Sequence, residues 1–211
     1  MNRQIEYGDL LKLLHALPKK TRSIVAIAGA PGSGKSTIAE KLFSDLTRHE
    51  KNRAEILPMD GYHLDDGLLE DRGTLKRKGS PNTFDVDGLH HMLKRIKCAD
   101  EHEVIVPTFD RSLEISRAGA RHISADTEII LVEGNYLLSN EEPWHKLRSN
   151  YDLTIMINVS EKILKERLSQ RWLSYDYTED VISQKLELND LPNGRYVYEK
   201  SEDVDYIYSN E

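Results

Sequence analysis

The sequence predicts an α/β protein of three layers, helices on both faces of a mostly parallel sheet, with a helical lid. Two observations predict it. Apolar strand-like runs alternate with helical patterns along the chain, the arrangement of a parallel sheet covered on both faces. The first of these runs, Ser23-Ile24-Val25-Ala26-Ile27-Ala28, leads into Gly29-Ala30-Pro31-Gly32-Ser33-Gly34-Lys35-Ser36. That stretch fits G-x-x-x-x-G-K-[ST] at each fixed position and opens a helix marked by Ile38, Leu42 and Leu46. A strand, a glycine-rich turn and a helix N-terminus make the phosphate cradle of a P-loop NTPase.

The chemistry of that cradle follows from its residues. Glycines let backbone N–H groups approach phosphate oxygens, the helix end adds partial positive charge, and Lys35 adds a full one. The stretch predicted to bind nucleoside triphosphate comprises Gly29, Ala30, Pro31, Gly32, Ser33, Gly34, Lys35, Ser36 and Thr37. The Ser36 hydroxyl is placed to hold Mg²⁺.

Further strands are predicted at Glu55 to Pro58, Val104 to Val106, Glu128 to Val132 and Leu153 to Val159, with Val204 to Tyr208 as a candidate last one. All are expected in the parallel sheet. A helix is predicted from Val86 to Lys97 and another from Ser160. Near the N-terminus, Leu10, Leu11, Leu13, Leu14 and Leu17 recur as an amphipathic helix face. The 211 residues suit one domain, 1–211, with lid segments at 64–84 and 167–180. The first of these is too long for a routine connection and too charged for core.

Composition narrows the function classes. The net charge is −7 and no long basic run exists, which argues against nucleic acid as partner. Cys98 is the only cysteine, so no intramolecular disulfide forms and a reducing compartment fits. No run approaches the ~18 apolar residues of a membrane span, and the N-terminus lacks a signal-peptide core. The expected location is the cytoplasm, with no membrane partner. The oligomeric state is left open, a homodimer included.

In open parallel sheets, ligands gather at the carboxyl ends of the strands. Polar residues stand there repeatedly: Asp60-Gly61-Tyr62-His63, Pro107-Thr108-Phe109-Asp110-Arg111 and Glu133-Gly134-Asn135-Tyr136. Phosphoryl transfer needs a cradle, a metal, a group to deprotonate the acceptor, and cations for the charge in flight. Glu133, ending a buried run, is placed to serve the Mg²⁺ shell with Ser36. Asp60 is the candidate general base. Tyr62, His63, Phe109, Arg111 and Asn135 are candidate acceptor contacts. Arg167 and Arg171, four residues apart on one helix, are candidate lid arginines for the ATP phosphates. The short cluster Arg72, Lys76, Arg77 and Lys78 suits an acceptor that already carries an anionic group, and equally a lid that needs only solubility. Asn189-Asp190-Leu191-Pro192-Asn193-Gly194 reads as a helix stop with turn residues that could also offer amides to a base or sugar.

These residues resemble the phosphoribulokinase/uridine kinase-like family of P-loop kinases, which includes pantothenate kinases. Three blocks carry the likeness: Gly29 to Ser36, Met59-Asp60-Gly61-Tyr62-His63, and Leu131-Val132-Glu133-Gly134-Asn135. The segment Leu69 to Pro81 with Phe84-Asp85 looks like its pantothenate-kinase counterpart, whereas Asp110-Arg111 stands where those enzymes place Ser-His. The resemblance implies ATP as donor, Mg²⁺, and a hydroxyl on a small metabolite as acceptor: a nucleoside, a pantothenate-like compound or a sugar. It also implies Asp60 as base, Lys35 and Ser36 at phosphate and metal, Glu133 near the metal, and Arg171 with Arg167 on the phosphates. The second reading is a regulatory P-loop NTPase or nucleotide-binding switch without a metabolite acceptor. Its GTPase form would carry an Asn-Lys-x-Asp motif, which the sequence lacks.

Overall fold

The computed structural model describes residues 3–211. A two-residue strand, β1 (Arg3–Gln4), precedes helix α1 (Tyr7–His15), which buries Leu10 and Leu14 at helical spacing. The apolar run forms β2 (Ser23–Gly29), buried at every residue, as a strand covered on both faces must be. The glycine-rich turn passes into α2 (Lys35–Thr47), whose Ile38, Ala39, Leu42 and Leu46 face inward. β3 (Ala54–Pro58) follows. The charged stretch after it folds into helix α3 (Asp66–Asp71) and short 3₁₀ turns at Leu75–Arg77 and Pro81–Thr83. α4 (Val86–Cys98) starts where Asp85 Oδ1 accepts the Gly88 N–H at 2.8 Å, a side-chain N-cap.

Four strands come next, β4 (Glu103–Asp110), β5 (Ile115–Ser124), β6 (Ile129–Gly134) and β7 (Leu153–Asn158), with a 3₁₀ turn at Trp144–Asn150 between the last two. Helix α5 (Glu161–Leu173) is followed by α6 (Glu179–Lys185), a π-helical turn at Leu186–Asp190, α7 (Leu191–Lys200) and β8 (Tyr206–Ser209).

Six strands form one parallel sheet in the order β1-β8-β7-β2-β6-β3. The cradle strand is central, Val25 lying opposite Leu131 on one side and Leu153 on the other. Because side chains alternate along a strand, β2 sends Ile24, Ala26 and Ala28 to one apolar layer and Val25 and Ile27 to the other. The first layer packs Leu89, Leu93, Trp144 and Val197; the second packs Leu14, Leu42 and Leu164. The fold is therefore the three-layer α/β/α arrangement predicted. Among the described residues no helix is long and apolar enough to cross a membrane.

Two expectations are corrected. Val104 to Val106 is a strand but does not join the parallel sheet: β4 pairs antiparallel with β5 in a separate hairpin. Its burial alternates, Glu103 and Ile105 exposed and Val104 and Val106 buried, which is the pattern of a sheet covered on one face only. Asn189 to Gly194 is not a helix stop but lies within the helical run from α6 to α7. Pro192 falls in the first turn of α7, where a missing N–H is tolerated. The carbonyl four residues back, Leu188, instead accepts from the Arg77 guanidinium.

Candidate active site

The cradle has the backbone that only glycine adopts readily. Gly32 and Gly34 have φ of +79° and +85°. A Cβ on Gly34 would also stand 2.5 Å from Asn210 Nδ2, and one on Gly32 2.9 Å from Leu168 Cγ. Asn210, just past β8, donates to the Ser33 carbonyl at 2.8 Å and so fastens the turn from the sheet side. Gly34→Ala should therefore cost about 1–2 kcal/mol of stability from the left-handed backbone alone and weaken ATP binding. Thermal unfolding with and without ATP measures both, and unchanged values would contradict this account of the turn.

Lys35 and Ser36 occupy the first turn of α2. Ser36 Oγ donates to Glu133 Oε2 at 3.0 Å, joining the helix start to the end of β6. Glu133 is buried, and burial raises its carboxyl above the ordinary value while Lys35 and the Ser36 hydroxyl pull the other way. Burial likewise lowers the Lys35 ammonium, opposed by Glu133 and Asp60. Among the described residues no three His, Cys, Asp or Glu side chains cluster as a metal cage. The oxygen donors of Ser36 and Glu133 suit a hard cation such as Mg²⁺, which takes its other ligands from phosphate and water.

Asp60 lies in the 3₁₀ turn Met59–Tyr62 that ends β3. Burial alone would raise its carboxyl; Arg111 above all, then His63, Lys35 and Arg171, outweigh it and hold Asp60 below the ordinary aspartate value. Its Oδ2 accepts directly from the Arg111 guanidinium.

Lys35, Asp60 and Arg111 open into a cleft of about 460 Å³. One wall is aromatic. The His63 ring sits 4.1 Å from the Phe84 ring and 4.5 Å from Phe109, centroid to centroid. His63 Nδ1 lies 2.8 Å from the Asp60 carbonyl, which can only accept, so Nδ1 carries the proton. Burial lowers the His63 pKa, opposed by the Asp60 carboxylate and carbonyl. Lys78 and Arg111 stand over Phe109 at 5.5 and 5.8 Å from its centroid.

The opposite wall comes from α5, α6 and the π turn. Trp172 Nε1 donates to Asp190 Oδ2 at 2.7 Å, and Lys185 and Arg171 lie 4.4 and 5.2 Å from the indole ring. Burial raises the Asp190 carboxyl. Side-chain amides stitch the two walls together: Asn189 Nδ2 donates to the Lys78 carbonyl at 3.0 Å and Asn193 Nδ2 to the Gly79 carbonyl at 3.3 Å.

Of the residues singled out from sequence, Pro31, Lys35, Asp60, His63, Phe109, Arg111, Asn135 and Arg171 line this cleft. Asn135 Oδ1 is buried without a hydrogen-bond partner. Tyr62 is not part of the lining: it packs in the first apolar layer, its hydroxyl buried and unpartnered. Arg167 also turns away, donating to the Asn210 carbonyl at 2.9 Å. Thr37 is exposed on α2. Sequence reasoning missed Trp172 and Lys185 in the lining and Asn210 behind the cradle, and it read Asp190 only as a turn residue; no motif marks any of them.

Comparison with known proteins bears on the family and the fold. The sequence model described as the phosphoribulokinase/uridine kinase family matches residues 24–189. The Escherichia coli protein YggC, whose function is uncharacterized, is 32% identical over 213 residues, covering 98% of this chain and 87% of its own. A pantothenate kinase of Yersinia enterocolitica is 26% identical over 159 residues, 72% of this chain and 50% of its own length. The crystal structure of a proposed fructose transport system kinase from Silicibacter sp. TM1040 superposes with a TM-score of 0.89 at 36% identity, covering 98% of this chain and all of that one.

Proposed function

The chain belongs to the phosphoribulokinase/uridine kinase family, and from that premise we propose that it transfers the γ-phosphate of ATP to a hydroxyl of a small metabolite held in the cleft, with Asp60 as general base. The observation that carries this reading is that Lys35, next to the bonded Ser36–Glu133 pair, and Asp60 line one cavity together with an aromatic wall. A cradle that only bound or hydrolysed nucleotide would not need that wall. The candidate acceptors are a nucleoside, a pantothenate-like compound, and a sugar or sugar phosphate.

In this reading the cradle N–H groups and Lys35 hold the β- and γ-phosphates. Ser36 and Glu133 would hold Mg²⁺, which neutralises charge on the phosphate oxygens when bound. Asp60 accepts the proton of the acceptor hydroxyl as its oxygen forms a bond to the γ-phosphorus; the bond from that phosphorus to the β–γ bridging oxygen breaks and ADP leaves. Arg171 meets the charge in flight. His63 and Phe109 bound the acceptor, with Arg111 and Asn135 beside them. Segments 64–84 and 167–180 close as lids, keeping water from the γ-phosphate.

ADP formation from MgATP tests this against uridine, cytidine, pantothenate, fructose, ribose and sugar phosphates, with a no-acceptor control. The expected result is a large acceptor-dependent rise with one compound class. A steady ADP release that no compound changes would favour the regulatory NTPase reading.

A further inference from the structure

We propose that the acceptor carries an anionic group, phosphate or carboxylate, besides its reacting hydroxyl, and that this anion draws Arg111 off Asp60 and so frees the base. The inference rests on the kinase reading above and deepens it by naming the substrate class.

The starting point is the ion pair itself. Arg111 occupies Oδ2 of the carboxylate that has to take a proton. A lone pair held by a guanidinium is a poor base, because the charge-assisted hydrogen bond would have to break as the proton arrives. The two partners differ in freedom. The Arg111 side chain is 44% exposed and that of Asp60 only 16%, so the arginine can swing while the carboxylate stays. Arg111 lies just beyond β4, at the turn of the hairpin, on the acceptor wall.

A guanidinium leaves one carboxylate at little cost only if another anion receives it. Its planar fork fits a carboxylate or a phosphate with two parallel hydrogen bonds. The surroundings supply further positive charge. Although the chain is acidic overall, Lys35, Lys76, Lys78, Arg111, Arg171 and Lys185 all line the cleft, against the carboxylates Asp60, Asp66, Glu114 and Asp190. In the kinase reading Lys35 and Arg171 serve the donor phosphates. On the acceptor side Lys78 is already taken by Asp66 and the Glu114 carbonyl. Lys76 is exposed and makes no salt bridge among the described residues. Arg111 with Lys76 can thus receive an anion, whereas a neutral acceptor would leave Arg111 on Asp60.

Two measurements test this. In the first, protein saturated with Mg²⁺ and a non-hydrolysable ATP analogue, so that the cradle is filled, is titrated calorimetrically with inorganic phosphate and separately with acetate. At least one anion should bind, and Arg111→Ala should weaken it by roughly 10-fold or more, Arg111→Lys by less. The two titrations distinguish a phosphate from a carboxylate ligand. Absence of binding by both anions in the wild type, or unchanged affinity in Arg111→Ala, overturns the proposal. Circular dichroism checks that the variants keep their fold, as the exposure of Arg111 leads one to expect. The second compares matched acceptors: glycerol, glycerate and glycerol 3-phosphate, then fructose, gluconate and fructose 1-phosphate. The anionic member of a series should have the higher kcat/KM, and Arg111→Ala should shrink that preference to a few-fold. Preference for the neutral member overturns the inference while leaving the kinase reading intact. Failure of all acceptors to raise ADP formation counts against the kinase reading, and the anion titration still decides the role of Arg111.

Discussion

Asp60→Asn should leave ATP bound about as tightly as in the wild type, while transfer to the acceptor falls by about 10²–10⁴-fold, the range for losing a general base. The amide matches the carboxylate in shape, and the cradle at Gly29 to Ser36 does not depend on it for its backbone. What disappears is the capacity to take a proton and the charge that Arg111 pairs with. Acceptor-dependent ADP formation and a direct ATP titration separate the two effects, and turnover near the wild-type level in this variant would remove Asp60 from its role. The pH profile adds a second check. Arg111, His63, Lys35 and Arg171 together hold the Asp60 carboxyl below its ordinary value against the effect of burial. The acid limb of wild-type kcat/KM, which reports the free enzyme, should accordingly lie below the ordinary aspartate range.

Lys35→Ala should affect both steps, lowering ATP affinity and reducing turnover by about 10²–10³-fold, comparable with removing one preorganised donor from a developing charge. The lysine does two things in the structure. It supplies the cation at the mouth of the cradle, and it offsets the burial that raises the Glu133 carboxyl. Without it the Glu133 carboxyl is raised further, and a protonated acid is a poor partner for Mg²⁺. ATP titrations at several Mg²⁺ concentrations, with initial rates alongside, measure this. Unchanged affinity and rate would refute the reading of the glycine-rich turn.

The parallel strands and the cradle were legible because each is written locally: buried apolar runs for β2, β6 and β7, and fixed spacing for Gly29 to Ser36. β5 was not. Ile115-Ser116-Arg117-Ala118-Gly119-Ala120 is exposed at every position, so no hydrophobic alternation marks it as a strand. Its partner β4 could be read as a strand but not assigned to a sheet, since pairing is decided by distant segments. The Asn189 to Gly194 stretch misled because Asn, Pro and Gly together favour turns, and only tertiary contacts from Arg77, Lys78 and Gly79 reveal that these residues are helical. At the site, Asp60 stands just past β3, Glu133 at the end of β6 and Lys35 in the fixed spacing after β2, and all three could be read from those positions. The Arg111–Asp60 pair joins positions 51 residues apart, a contact that spacing does not encode. Trp172 and Asp190 meet for the same reason, through the packing of α5 on the π turn.

The stitching of Asn189 and Asn193 to the backbone of Lys78 and Gly79 bears on how ATP and the proposed acceptor would find the protein. The helical segment that carries Lys185 and Asp190 is tied through these amides, and through Arg77 on the Leu188 carbonyl, to the basic loop that lines the cleft. A tilt of one is then a tilt of the other. Donor and acceptor would not add as independent ligands: whichever arrives first sets part of the geometry the second requires, and linkage makes that benefit reciprocal. The occupancy of each would rise with the concentration of the other.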